Sequence, residues 1–433
     1  LWIILGTSFT KWHPSLVLLT AALFLGALLQ IPPLIILKLI KEGFGKIVEN
    51  IGLLILFGTI IGFILERSKA TLSIANWVLK HLNRLPLPYC VSCIGYLVSI
   101  PVFCDAAFVI LSQLNKTISR QTKTPLVGLS VALSTGLFAP HALIPPTPGP
   151  LAAAANLNLD NLILLIAVGG VIAFILILVG GAYGNYLIKK KPQTQAEKDS
   201  NEISQSELSE DFPSFTSAIL PILIPILLMC LGGALNFLPN DTFSISYLRL
   251  ITSPTIALGV GMLFAFRLVN SNKGSFIYKS ISNGIYQAAP ILIITSMGGA
   301  LGTIIQTIPL QEYAIGITSF ESLGIIIPFA IAALLKTAQG SSTVAIITAS
   351  SIVFPLLPLM GLDSEMGKVW TIMAIGVGSM TVSHANDSYF WIVSQMSDMN
   401  VKTAYRTHTL GTFFQGVVGL VVVFIGHSLW KIF

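Results

Sequence analysis

Between Arg84 and Lys116 the only side chain that ionises, cysteine and tyrosine aside, is Asp105, and it sits in an apolar stretch long enough to reach mid-bilayer. A carboxylate there costs at least about 2.5 kcal/mol on insertion scales, so it reads first as functional, with a structural pairing to a neighbouring Lys or Arg as the alternative. Pro101, one turn earlier, removes a backbone donor and pushes Ile100 toward extended geometry, freeing carbonyls beside the carboxylate. A second polar island, KTAQGSST, opens on Lys336. If Gly340, Ser341, Ser342 and Thr343 start a helix, its unpaired amides and positive dipole end suit an anion, and Lys336 strengthens that preference. Plain capping and packing by small residues, with a lysine that snorkels to the surface, is the structural alternative.

A third island, SHANDS, brings His384, Asn386 and Asp387 into an apolar region, a set suited to hydroxyl recognition or proton relay unless the segment is an exposed loop. A fourth, PHALIPPTPGP, contains His141, Thr147, Pro148 and Gly149. Its prolines and glycine break a helix anywhere, so by itself it is a weak sign of a site.

These islands need elements to position them. The chain has 433 residues, 54% hydrophobic and 10% charged, against about 25% charged in a soluble protein. Runs at 15–37, 85–115, 161–188, 212–240 and 280–311, uncharged but for Asp105, are each long enough for a membrane-crossing helix and too long for barrel strands. The net charge of +6 comes in short clusters such as Lys189, Lys190 and Lys191, which read as topology signals and not as a nucleic-acid stripe. Four cysteines, including the CxxC pair Cys90 and Cys93, lie in apolar segments and read as small buried side chains, with no disulfide framework or zinc site.

The apolar residues 1–5 ahead of Lys11 read as the stump of a first helix with a piece missing upstream. Residues 34–51 set Lys38, Lys41, Glu42, Lys46 and Glu49 opposite Ile36, Leu39, Ile40, Phe44 and Ile47, the pattern of a helix lying in the interface. The water-like stretch 189–211 reads as a cytoplasmic linker between membrane halves 1–188 and 212–433. With the basic clusters at Lys80 and Arg84 and at Lys116, Arg120 and Lys123 on one side, 85–115 fits a hairpin that enters and leaves together. Two arms of about 15 residues would each rise roughly 22 Å, to near mid-membrane. An interrupted helix follows near 124–158. The second half repeats the plan, with a hairpin near 322–362 and a broken helix near 369–397. The predicted fold is an all-α polytopic membrane protein of two inverted-topology repeats, each with a re-entrant hairpin and an interrupted helix. In such folds the site lies at the repeat interface.

Four strings in order, IPVFCDAAFVIL, HALIPPTPGP, LLKTAQGSSTVAIITASSI and SHANDSYFW, resemble blocks of the gluconate permease family, GntP, within the ion transporter superfamily. The likeness runs from about residue 15 to the C-terminus. It implies a proton-coupled symporter of gluconate or a related small hydroxy-carboxylate in a bacterial cytoplasmic membrane. Carried over with it are Asp105, His141, positions 145–150, Gly340, Ser341, Ser342, Thr343, His384, Asn386 and Asp387. Two positions depart from the family pattern: Lys336 stands where gluconate permeases have Arg, and Thr147 where His is common. Lysine offers a point charge and not a bidentate grip, which bears on substrate identity.

On this reading the substrate carboxylate rests on Ser341, Ser342 and Thr343, while His384, Asn386 and Asp387 read its hydroxyls and Asp105 carries the proton. The expected partners are a small organic anion and the lipid bilayer, with no nucleic acid, no metal, no cofactor beyond the coupling ion, and self-association left open. Sodium is the alternative coupling ion, since Asn386 and the hydroxyls of Ser341 and Thr343 are acceptable ligands. An intramembrane enzyme using Asp105 with Asp387, or Ser383 with His384, is a more distant alternative, because HExxH and GxSxG are absent.

Overall fold

The computed structural model describes residues 2–6, 12–82, 84–190, 213–235, 243–268, 273–308 and 324–432, and within them every regular element is helical. Most of the linker expected at 189–211 lies outside the described residues, as does the start of the hairpin expected at 322–362. Six helical stretches among the described residues are long and apolar enough to cross a bilayer.

One plan occurs twice. In the first half α1 (Pro33–Arg67) is followed, after a short helix Ala70–His81, by α2 (Leu87–Ser99) and α3 (Cys104–Thr122), which form a hairpin. An interrupted helix of α4 (Leu126–Leu143) and α5 (Pro148–Asn156) comes next, then a closing helix α6 (Leu162–Lys190). In the second half α7 (Lys273–Ile305) precedes the hairpin of α8 (Ile326–Gln339) and α9 (Ser342–Val353). The interrupted helix of α10 (Glu365–Met380) and α11 (Ser388–Met396) and the closing helix α12 (Leu410–Ile432) complete it. Packing is reciprocal: α2 lies on α4 as α8 lies on α10, and α5 packs on α9 as α11 packs on α3. The long helices α1 and α7 run along each other, and α4 meets α10. Such exchange is what a pseudo-two-fold relation between the halves requires. The fold is an all-α polytopic membrane architecture built from two inverted repeats.

Local sequence sets each break. α2 stops at Ser99 because Pro101 has no N–H to continue the ladder, and Asp105 falls in the first turn of α3. That helix runs to Thr122, past the expected end of the hairpin at Asn115. α4 contains Pro140 and continues through His141 to Leu143, so the interruption lies one turn later than Pro140, at 144–147. Pro148 then occupies the first turn of α5, where a missing donor costs nothing. α8 ends on Gly340 at φ +81°, and a Cβ there would collide with the Asn386 carbonyl, so the position demands glycine. Ser341 Oγ accepts from Val344 N at 3.3 Å and caps α9. After α10 the chain runs irregularly through 381–387, with Val382 at φ +58°, to Asp387, which caps α11 through Tyr389 N at 3.1 Å.

Two expectations need correction. Residues 34–51 are not a separate interfacial helix but the first part of α1, which spans 35 residues without a break. Ile36, Ile40, Ile47 and Ile51 are buried, and Gly43 seats against Gly299 and Ala300 of α7, so the apolar stripe packs on protein. Cys230 is exposed, not buried: it shares the helix Phe215–Leu235 with exposed Leu223, Leu227 and Leu231, an apolar surface that suits lipid.

Candidate functional site

α3, α5, α9 and α11 all begin at the breaks, so each break presents first-turn amides that have no partner within their own helix ladder. Phe103, at the tip of the first hairpin, faces the His141 ring at 5.9 Å. Pro101, Phe103, Pro146, Thr147 and Pro148 enclose a void of only about 10 Å³ against α1. Gly149 of α5 seats on Ile346 of α9, and Gly340 abuts Asn386. Each tip thus lies against the interruption of its own half, and α5 of the first half meets α9 of the second.

At their centre lies Lys336, 1% exposed, over the Phe138 ring at 5.7 Å. Its Nζ donates to Asp387 Oδ2 at 2.5 Å and to Gly340 O at 2.7 Å. The ammonium does not snorkel to the surface. Asp387 Oδ2 also accepts from Ser383 Oγ at 2.5 Å, and Oδ1 serves Tyr389 N, so both carboxylate oxygens are engaged. A charge pair this deep survives because each partner has further hydrogen bonds. Asp105 and His141 lie within electrostatic range of the pair.

Three buried polar groups in this region have no hydrogen-bond partner among the described residues: Asp105 Oδ1, His141 Nδ1 and both amide atoms of Gln339. Gln339 shares the last turn of α8 with Lys336. Buried polar groups are ordinarily paired, so such a cluster beside an ion pair is suited to a ligand that supplies donors and acceptors.

Ser342 and Thr343 form the first turn of α9. Thr147 is buried, and its Oγ1 donates back to Ile144 O at 2.5 Å, stabilising the interruption. His384 Nε2 lies 3.0 Å from Thr337 O, and Asn386 Nδ2 donates to the same carbonyl at 2.7 Å. Those two side chains latch the second interruption to α8, where the sequence had placed them toward substrate hydroxyls. Ser383 pairs with Asp387 and with His408, which sequence reasoning missed, and not with His384. A histidine in the apolar stretch after Arg406 was the available signal. Among the described residues no group of three or more His, Cys, Asp or Glu is placed to hold a metal.

A family model described as GntP family permease matches residues 1–429. The chain belongs to the GntP permease family. An uncharacterized permease of Haemophilus influenzae is 31% identical over 407 residues, covering 90% of this chain and 83% of that one. A gluconate permease of Pseudomonas aeruginosa is 28% identical, with 98% and 94% covered, and the D-serine transporter DsdX of Escherichia coli 27%, with 96% and 93%. Among solved structures, the Alcanivorax borkumensis YdaH transporter, described as having an unusual topology, superposes with a TM-score of 0.67 at 15% identity. It covers 96% of this chain and 99% of that one, a likeness of fold alone. As a GntP permease the chain is a multi-pass membrane transporter and not an enzyme.

Proposed function

We propose that this GntP permease is a proton-coupled symporter of a small hydroxylated carboxylate such as gluconate. The observation that carries the reading is the buried Lys336–Asp387 pair beside the unpartnered groups of Asp105, His141 and Gln339. Lys336 and the first-turn amides of α9 offer the carboxylate its counter-charge. The Gln339 amide reads hydroxyls. Two carboxylates and one ammonium already occupy this dry region, so a further anion enters at low cost only with a proton. Asp105 is the carboxylate open to that proton in the substrate-free state, because both oxygens of Asp387 are in use. The names of the relatives agree in chemistry: gluconate, L-idonate and D-serine each carry a carboxylate and a hydroxyl.

The test is uptake of labelled gluconate into proteoliposomes under an inward proton gradient, an inward sodium gradient, or neither, with excess glycerate or D-serine as competitor. Proton-driven accumulation displaced by a hydroxy acid is the expected result. Accumulation that needs sodium at fixed pH would move the coupling ion, and no accumulation of any of these acids would remove the substrate class. Gln339→Ala should raise KM about tenfold with little change in kcat, the pattern of a lost binding contact.

A further inference from the structure

His408 lies in a π turn, Tyr405–Thr409, immediately before α12, and its side chain is wholly buried. The turn brings three polar groups of one helix onto a single residue. Thr409 Oγ1 donates to Ser383 O at 2.6 Å, Thr412 Oγ1 accepts from Ser383 N at 3.0 Å, and His408 Nε2 lies 3.1 Å from Ser383 Oγ. On the far side of the ring, Nδ1 lies 3.1 Å from Ser134 Oγ of α4. The chain of contacts Ser134–His408–Ser383–Asp387–Lys336 therefore joins the first half to the buried ion pair, and π turns inside α-helices recur at functional positions.

The direction of every bond in this chain follows from donor counting. An ionised Asp387 only accepts, so the single Ser383 hydrogen is spent on Oδ2, and toward His408 the Ser383 oxygen can only accept. Nε2 must then carry the N–H, and in a neutral ring Nδ1 accepts from Ser134 Oγ. A proton on Asp387 Oδ2 reverses the order. The acid donates to Ser383 Oγ, the Ser383 hydrogen turns to Nε2, the ring N–H stands on Nδ1 and donates to Ser134 Oγ, and the Ser134 hydrogen takes Val131 O, already 3.0 Å away. One proton is gained, from water, and it resides on Asp387; the ring exchanges one N–H for the other.

We propose that His408 is a positioning residue whose tautomer follows the charge of Asp387, so that release of Lys336 to a substrate carboxylate is stabilised when Asp387 takes a proton. This rests on the proton-coupled reading above and adds to it a second carboxylate, freed once the anion holds Lys336. The titratable or charged groups facing the pair and the ring are Lys336 on α8, Asp105 and Cys104 on α3, His141 on α4 and Tyr389 on α11.

The experiment is ¹⁵N NMR of histidine-labelled full-length protein in lipid without substrate, with His408 assigned by difference from His408→Gln. The wild-type ring should show Nε2–H at neutral pH and shift to Nδ1–H on acidification. Lys336→Met should bring the same shift at neutral pH, and in a Ser383→Ala background the shift should vanish in both cases. An unchanged tautomer on acidification, a shift that persists without the Ser383 hydroxyl, or an imidazolium at neutral pH would overturn the inference. If Lys336→Met does not fold, the wild-type titration alone decides. In proteoliposomes His408→Gln should displace the pH midpoint of uptake by about one unit; an equal loss at every pH would mean a merely structural role. Because the spectroscopy needs no transport, a shift without uptake of any acid faults the substrate reading, and uptake without a shift faults only the role of His408.

Discussion

The two halves share a backbone plan and differ in what their breaks carry. In the first, the tip 100–103 and the interruption 144–147 are apolar and proline-rich, closed against α1, and the nearby ionisable groups Asp105 and His141 each leave a buried polar atom unpartnered. In the second, Lys336, the Gly340 carbonyl, Asp387 and Ser383 form a bonded network, extended by His408 from the turn before the next helix. A duplicated fold supplies matched helix starts in both halves, yet charge is concentrated in one. The other is left with ionisable groups that wait for a partner. That asymmetry suits a carrier in which one half holds the anion and the other takes the proton in the substrate-free state.

The largest effect expected on stability comes from breaking the charged side of this comparison. Lys336→Met leaves Asp387 buried without its counter-charge and should cost about 3–5 kcal/mol, while Lys336→Met combined with Asp387→Leu should recover most of that and still transport nothing. Unfolding in detergent against denaturant measures the first part and liposome uptake the second. Next come two glycines that occupy related places. Gly340→Ala forces a side chain into φ +81° and onto the Asn386 carbonyl, a loss of about 1–3 kcal/mol. Gly149→Ala meets only the terminal carbon of Ile346 at 2.9 Å, which can turn away, and should cost about 1 kcal/mol. Equal losses at the two positions would mean that the second hairpin tip is no more tightly specified than the start of α5.

The smallest effect lies at the surface, where a charge also links the halves. Glu365 accepts from Lys368 Nζ at 2.9 Å and from the amides of Asp160 and Asn161. Burial works against its ionisation, but these bonds outweigh it and hold its carboxyl below the usual range. The stabilisation is present above the unfolded value near 4.5 and is lost as pH falls through the folded one. After solvent screening Glu365→Gln should cost only a few tenths of a kcal/mol, and melting curves should show that difference at pH 7 and lose it in acid.

Much of the backbone plan was legible because prolines and glycines punctuate it: Pro101, Pro145, Pro146 and Gly340 all lie where helices end. The amphipathic pattern of 34–51 misled because an apolar stripe facing α7 has the same periodicity as one facing lipid. Lys336 was legible as an anion group but not as the partner of Asp387, since nothing in a linear string says which distant carboxylate a lysine will meet. His384 and Asn386 have the right chemistry for hydroxyls, and the fold spends it on Thr337 O. Ser134 and His408, far apart in sequence, look like packing residues of apolar helices until the hydroxyl is found on the imidazole.

The division of labour between the halves is tested most directly with Asp105→Asn in the same liposomes, measuring acid-driven accumulation of gluconate alongside exchange of gluconate across a membrane with no gradient. Asp105 Oδ1 has no partner to lose, so the variant should fold within about 0.5 kcal/mol of the parent. The predicted result is that accumulation is abolished while exchange persists. Accumulation at the parent's level under the same proton gradient would contradict the assignment of the proton to the first half.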